Sequence, residues 1–352
     1  MNLQLLNFPE NVTLEIKDKI DSIINSGFWS TGPESKNLEE NLLKIYGREC
    51  ISTSSGGTAL QLLHDSYKKI KKIAIQSNTY FASALPWINS NTEILLLGST
   101  NKSLMPSLEI VKSSIEKNPD AIILTHIGGY PNPEIREIAE VCKENNILLF
   151  EDCAHSPLVK INNQYVGTFG DAAILSFFPT KPIPAGEGGM IMIKDYSKAK
   201  EIRKIRDYGK FIDKKGKTKH ILPAFPNARL NEYSAGIANT ILKNYSNLLR
   251  LKIKIADFYN SKIEEDLVLS SIYEEDMRPQ FSYYKYICFL KKSKYKTAQV
   301  YDFDNQIVTI LDDNDLNYKF FGDEKYSRSH ICLPITYSMT INDAQEILAN
   351  VV

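Results

Sequence analysis

Apolar residues recur along this chain with two periods. Over residues 10–26 and 34–46 they return every three or four positions, the spacing of an amphipathic helix, and the turn Ser30-Thr31-Gly32-Pro33 separates the two. Further on, short continuous apolar runs predict strands at Ile73–Ile75, Ile94–Leu97, Ala121–Leu124, Ile147–Phe150, Ala172–Ser176 and Met190–Ile193. Helical patterns over 57–69, 80–89, 106–116 and 133–145 lie between several of them. Apolar strands divided by helices predict a mostly parallel sheet covered on both faces. After about residue 240 the texture changes. Leu242 to Ile263 is a long, lysine-rich helical pattern, placed to link the sheet to a smaller unit. Phe281–Phe289 has the aromatic and β-branched make-up of a strand, and Ile341 to Val352 has the spacing of a closing helix. Asp302 to Asp323 is polar and carries no period that assigns it.

Composition narrows the class. A chain of 352 residues fits two domains at roughly 100–200 residues each. Lys+Arg and Asp+Glu stand at 42 each, so nothing in the overall charge favours nucleic acid or an anionic membrane as partner. A basic pocket for a small anion remains compatible with this balance. The cysteines, Cys50, Cys142, Cys153, Cys288 and Cys332, are odd in number and form no Cys-x-x-Cys pair. They read as reduced thiols of a cytoplasmic protein. Charges at Glu10, Glu15, Lys17, Asp18 and Lys19 interrupt the first twenty residues, which argues against a signal peptide. No apolar run approaches the ~18 residues of a membrane span.

Chemistry concentrates in a few stretches. Ser176-Phe177-Phe178-Pro179-Thr180-Lys181-Pro182-Ile183-Pro184-Ala185-Gly186-Glu187-Gly188-Gly189 places a lysine in a proline-stiffened loop after a strand. Upstream, Asp152 closes the apolar run Ile147–Phe150, at what a parallel sheet makes its carboxyl edge, where ligands bind. A lysine, an aspartate and a serine so disposed are equipment for pyridoxal phosphate. The lysine forms an imine with the aldehyde, the aspartate pairs with the protonated ring nitrogen, and the serine reaches the phosphate. Each has a plainer reading: Lys181 as a surface lysine, Asp152 as a helix N-cap. His155 can meet the cofactor's ring oxygen, or be a satisfied core histidine. Ser54-Ser55-Gly56-Gly57-Thr58-Ala59-Leu60 opens a helix with small residues, and free N–H groups at a helix start bind phosphate. A simple capping turn reads the same. Tyr80 can stack on a flat ring or pack in a core. The chain has no Gly-x-Gly-x-x-Gly, Walker lysine loop or Gly-x-Ser-x-Gly elbow, and His126, Cys142, Cys153 and His155 follow no zinc spacing, so no metal is expected.

Taken in order, these motifs resemble the DegT/StrS family of sugar aminotransferases. The resemblance runs from about Ser26 to Asn239 and resumes at Ile331–Ile347. It is carried by Thr31-Gly32-Pro33, Leu38-Glu39, Tyr46-Gly47, the turn before Ala59-Leu60, and His126-Ile127-Gly128-Gly129-Tyr130-Pro131. Glu151-Asp152-Cys153-Ala154-His155, the Ser176–Gly189 stretch and Pro226-Asn227-Ala228-Arg229-Leu230 complete it. It implies an α/β protein of the aspartate aminotransferase fold (fold type I), with a large domain over 1–245 and a small α+β domain over 246–352. It implies pyridoxal 5'-phosphate linked to Lys181, with Asp152 on the ring nitrogen and His155 on the ring hydroxyl. Tyr80 then stacks on the ring, and Gly57, Thr58 and Ser176 hold the phosphate. Asn227 matches an asparagine that reaches the phosphate of a neighbouring subunit, so a homodimer with shared sites is expected. The implied reaction carries an amino group from an amino acid, glutamate in the first instance, to a nucleotide-linked keto-sugar, as in polysaccharide biosynthesis. Thr31-Gly32-Pro33 resembles members acting at C4, which implies a 4-keto-6-deoxy acceptor. A dehydrating branch has histidine in place of the lysine, and this chain keeps Lys181. It departs from the family at Gly98-Ser99, where an aspartate is common, and at Tyr284-Lys285-Tyr286, where His-x-Tyr is common. Amination of another small ketone, or a non-catalytic cofactor-binding regulator, are the alternative readings.

Overall fold

The computed structural model describes residues 6–99, 102–222, 224–275, 280–289, 301–302 and 305–351. Helices α1 (Glu10–Ser26) and α2 (Pro33–Tyr46) lead into β1 (Glu49–Thr53), α3 (Gly56–Ser66), β2 (Lys72–Gln76), α4 (Leu85–Asn89) and β3 (Glu93–Leu97). There follow α5 (Leu108–Ile115), β4 (Ala121–Thr125), α6 (Ile135–Glu144) and β5 (Leu148–Asp152). A short hairpin, β6 (Lys160–Ile161) with β7 (Gln164–Tyr165), precedes β8 (Ala172–Ser176), β9 (Gly189–Ile193) and α7 (Tyr196–Ile205). A second, β10 (Lys210–Ile212) with β11 (Thr218–His220), precedes the long helix α8 (Glu232–Asn260). The chain closes through β12 (Tyr286–Cys288), β13 (Tyr301–Asp302), α9 (Gln306–Asp313), β14 (Tyr318–Phe321), α10 (Lys325–Ser329), β15 (Ile331–Leu333) and α11 (Ile341–Val351).

Eight strands form one sheet in the order β1-β9-β8-β5-β4-β2-β3-β14. Alternation along each strand feeds two cores, one per face. In β4, Ile122 and Leu124 join α2, α5, α6 and α8, while Ala121 and Ile123 join α3, α4, α7 and α9. Fully burying one such Ile or Leu contributes about 1.5–3 kcal/mol, which is why continuous apolar runs make the central strands. The pairs from β5 and β8 outward to β14 are parallel. Strand β9 is antiparallel to both β8 and β1. The physical reason is the connection: residues 177–188 contain no crossover helix, so the chain turns back beside β8. That returning loop carries Lys181.

A three-stranded sheet, β12-β15-β13, builds a third core with the end of α8 and with α11. Leu104, Met105 and Tyr130, from loops of the large sheet, are buried in it. The expected helix over 242–263 begins earlier, at Glu232, capped by Asn231 Oδ1, which accepts the Ser234 N–H at 2.8 Å. Small buried residues, Ser234, Ala235, Gly236 and Ala238, hide its first turns from an apolar-period reading. The unassigned stretch before residue 323 takes shape as α9 and β14. Ile307 and Leu311 enter a core of the large sheet, and Tyr318 to Phe321 pair in parallel with Ile94 to Leu97. Within the stretch expected as a second unit, 246–352, α9 and β14 thus lie with the large sheet. The strand expected over 281–289 shortens to β12, because Tyr283 takes a left-handed φ of 46° that breaks the extended run.

Candidate active site

The sheet's carboxyl edge gathers the chemistry. Asp152 ends β5 and is buried. Its Oδ1 accepts the Ala154 N–H at 3.0 Å, and its Oδ2 accepts the Ser83 hydroxyl at 2.7 Å. Ser83 Oγ lies 3.1 Å from Thr79 Oγ1, which lies 2.7 Å from Thr125 Oγ1 at the end of β4. Three buried hydroxyls thus run from one strand end to the carboxylate. Ser83 and this run of hydroxyls have no signature in sequence, because Ser83 follows β2 and Asp152 ends β5, 69 residues further on, and only the sheet brings the two to one edge.

Lys181 sits in the loop after β8, its N–H donating to Phe178 O at 2.9 Å. Burial of the amine lowers its pKa to about 8, with Asp152 acting in the opposite direction. His155 is half-buried, and its Nδ1 accepts the Gly128 N–H at 3.3 Å, which leaves the ring proton on Nε2. Burial first, and then the charges of Lys181 and Lys285, hold its pKa well below the usual histidine value, so the neutral ring is favoured. Both groups meet on Tyr284. The His155 ring stacks on it at 4.1 Å, and Lys181 Nζ lies 4.8 Å from its centroid. Tyr284 belongs to the stretch where the sequence departs from the family, and only the structure assigns it to the site.

The other corner is built for an anion. Ser55 caps α3, its Oγ accepting the Thr58 N–H at 3.0 Å and lying 2.9 Å from Thr58 Oγ1. The N–H groups of a first helical turn have no intrahelical acceptor, so those of Gly56 and Gly57 can donate to an incoming anion. A Cβ on Gly56 would come within 2.9 Å of Ser176 Cβ and 3.2 Å of Ser176 Oγ, so glycine lets the helix start meet Ser176. A Cβ on Gly57 would meet nothing closer than Ser55 Oγ at 3.8 Å, so this side of the turn is open. The Thr58 hydroxyl is engaged with Ser54 and Ser55, which puts the burden on backbone donors. Tyr80 precedes Ser83 by one short turn, is 55% exposed, and rests its ring on Phe81 at 4.3 Å. Asn227 is exposed; its Oδ1 takes the Arg229 N–H at 3.3 Å. Its neighbour Ala228 accepts the Ser54 N–H at 2.8 Å, which ties this segment to the phosphate turn.

A second cluster lies beneath. His126, Glu151 and Cys153 place one ligand atom each within 4.8 Å of one another. The Glu151 carboxylate already accepts the N–H groups of Gly167 (2.7 Å), Phe169 (2.8 Å) and Gly170 (2.7 Å), with His126 Nε2 at 3.0 Å. His126 Nδ1 takes the Asn132 N–H at 3.0 Å. The cluster is a set of satisfied pins that fix the strand end bearing Asp152.

The donor set fits pyridoxal phosphate: backbone N–H groups and a serine for the phosphate, a buried carboxylate for a ring N–H, a neutral imidazole N–H for a ring oxygen, and an amine of lowered pKa. Fold and site together define a fold type I pyridoxal-phosphate enzyme. A family model for the DegT/DnrJ/EryC1/StrS aminotransferases matches residues 11–352, and the chain belongs to that family. It is an aminotransferase, and its cofactor is pyridoxal phosphate. Among curated relatives, the GDP-perosamine synthase of Vibrio cholerae is 28% identical over 248 residues, covering 69% of this chain and 66% of the relative. That of Escherichia coli O157:H7 is 28% identical over 260 residues, covering 73% and 70%. Among solved structures, Helicobacter pylori PseC, an aminotransferase of pseudoaminic acid biosynthesis, superposes with a TM-score of 0.85 at 19% identity, covering 96% of this chain and 95% of its own. An E coli GDP-4-keto-6-deoxy-D-mannose-3-dehydratase with bound hydrated PLP gives 0.82 at 19% identity, covering 99% and 100%. These two likenesses establish the shared fold.

Proposed function

We propose that this protein transfers an amino group from glutamate to C4 of a nucleotide-linked 4-keto-6-deoxy sugar. The observation that carries the reading is the convergence of Lys181, Asp152 and His155 at one sheet edge, beside the Gly56–Ser176 anion corner. The matched relatives named GDP-perosamine synthase support a sugar carried on a nucleotide. When bound, the cofactor supplies an aldehyde and a ring that takes up negative charge. The chain's own part is to hold and move protons. Lys181 Nζ, with a pKa near 8, exchanges between amine and ammonium at working pH, as a group serving in turn as base and acid must. Asp152 gives a ring N–H a negative partner, and His155 offers Nε2–H to the ring oxygen. Gly57, Thr58 and Ser176 hold the phosphate, and Tyr80 covers the ring. Asn227 completes the phosphate site of a second subunit in a homodimer. The protein acts in the cytoplasm, in the making of an amino sugar for polysaccharide biosynthesis.

The test is direct. Purified protein, pyridoxal phosphate and glutamate are incubated with a GDP- or TDP-linked 4-keto-6-deoxy sugar, and the product is read by NMR. An amino group at C4 is the expected result. Amination at C3, or no product with any 4-keto sugar nucleotide, would overturn the reading.

A further inference from the structure

Residues 282–285 cross from the third core to the active site without joining a strand. Buried Tyr283 holds a φ of 46°, a conformation that a bulky residue keeps only when its surroundings enforce it. Here the enforcement is visible. The Ser282 N–H donates to Gly129 O at 3.2 Å, and the Lys285 N–H donates to Gly128 O at 3.0 Å. The Ser282 hydroxyl donates to His155 O at 2.5 Å. A Cβ on Gly129 would overlap that hydroxyl, so glycine is what lets the segment lie so close. The fourth tie is Lys252 of α8, which donates from Nζ to Tyr283 O at 3.1 Å.

Lys252 is 4% exposed, an unusual place for a lysine. Besides the Tyr283 carbonyl, its Nζ lies 4.6 Å from the centroid of the Tyr337 ring. The Tyr337 hydroxyl donates to Pro182 O at 2.5 Å, next to Lys181. One buried amine therefore touches both the strap over the site and, through Tyr337, the lysine loop beneath it. What the strap presents is Tyr284. Its ring takes the stacked His155 imidazole at 4.1 Å and Lys181 Nζ at 4.8 Å, and its hydroxyl lies 3.2 Å from Thr180 Oγ1. A lysine chain has many rotamers and an imidazole can turn about its ring axis. A fixed aromatic face limits both.

We propose that Tyr284 is a positioning residue for amino transfer. Its ring sets where the Lys181 amine and the His155 imidazole stand, and Lys252 keeps the ring there through the Tyr283 carbonyl. The proposal rests on Lys181 as the group that links the cofactor. It goes beyond the acceptor assignment and is tested without any sugar.

The experiment follows linkage of pyridoxal phosphate to the cofactor-free full-length chain, by visible absorbance and borohydride trapping. Misplacing the amine should slow linkage about tenfold or more in Tyr284→Ala, whereas Tyr284→Phe, which keeps the ring, should stay within about twofold of wild type. Lys252→Met should also slow linkage, and the double variant should be no slower than Tyr284→Ala, since both changes release one strap. Wild-type rates in Tyr284→Ala would overturn the proposal. So would a Tyr284→Phe protein as slow as Tyr284→Ala, which assigns the effect to the hydroxyl. Multiplying effects in the double variant would sever Lys252 from Tyr284. If Lys252→Met does not fold, Lys252→Gln replaces it in the cycle. A wild-type chain that forms no linkage at all would overturn both this proposal and the role of Lys181, whereas linkage without sugar amination would touch only the acceptor.

Discussion

At the scale of single residues, the site works by tuning groups that elsewhere would be unremarkable in chemistry. Lys181 has its pKa brought down to about 8 by burial, so the amine form that attacks an aldehyde rises through that pH, not through the ordinary lysine value of 10.5. The rate of cofactor linkage should therefore climb between about pH 7 and 9 and level off above. Asp152 acts to raise that pKa, so Asp152→Asn should move the midpoint down; a midpoint that moves up would contradict the electrostatics. Lys181→Ala should lose the borohydride-reducible linkage and turnover together. Cofactor still trapped covalently in that variant would assign the linkage to another amine. Ser83 is the other residue to probe. Among the described residues, its hydroxyl is one of two donors to the Asp152 carboxylate. Ser83→Ala should weaken pyridoxal phosphate binding about tenfold, the size of one hydrogen bond to a charged group. A fluorescence titration that finds unchanged affinity would reduce Ser83 to packing.

At the scale of elements, the chain uses distant side chains to finish its helices. Gly32 and Pro33 start α2, and no side chain of that turn caps it. Instead the Glu232 carboxylate, fully buried at the head of α8, accepts the N–H groups of Glu34 at 2.6 Å and Ser35 at 3.1 Å. A negative charge at a helix start also meets the positive end of the helix dipole. A Cβ on Gly32 would come within 2.7 Å of Glu232 Oε2, so the glycine of Thr31-Gly32-Pro33 has a packing reason of its own. Ser30 and Thr31 are exposed beside it, with their hydroxyls 3.4 Å apart. Glu232→Ala should cost about 1–3 kcal/mol, the penalty for buried N–H groups left without an acceptor. Chemical denaturation measures it, and a loss under ~0.5 kcal/mol would show that water replaces the carboxylate.

At the scale of the whole molecule, three cores meet around one edge of the sheet. The lysine loop comes from the β8–β9 return, the carboxylate from β5, the phosphate turn from α3, and the strap from the segment before β12. Among the described residues no helix is long and apolar enough to cross a membrane. Several large apolar side chains stay exposed, among them Phe28, Trp29, Tyr80, Phe178, Tyr208 and Leu222. If Asn227 serves a neighbour's phosphate, mixing inactive Lys181→Ala and Asn227→Ala proteins should restore part of the activity once subunits exchange. Exchange shown by mass, with no activity returned, would place each site within one chain.

The sequence by itself determined the central strands and most of the helices, and it shows which candidate groups lie close along the chain. Asp152 and His155 sit three positions apart, Ser176 and Lys181 five, and Gly57 and Thr58 are adjacent. Short spacing fixes such groups through local geometry: strand alternation, a helix start, a stiff loop. It left β14 unassigned, because an edge strand that is half covered shows no continuous apolar run. It gave no sign of Glu232 under α2, Ser83 on Asp152, or Lys252 behind Tyr284. Those pairs are 198, 69 and 31 residues apart along the chain (the last counted to Tyr283), and nothing local requires them. They exist because burying a polar group without a partner is costly, and the partner that relieves it is whichever side chain packing brings within reach.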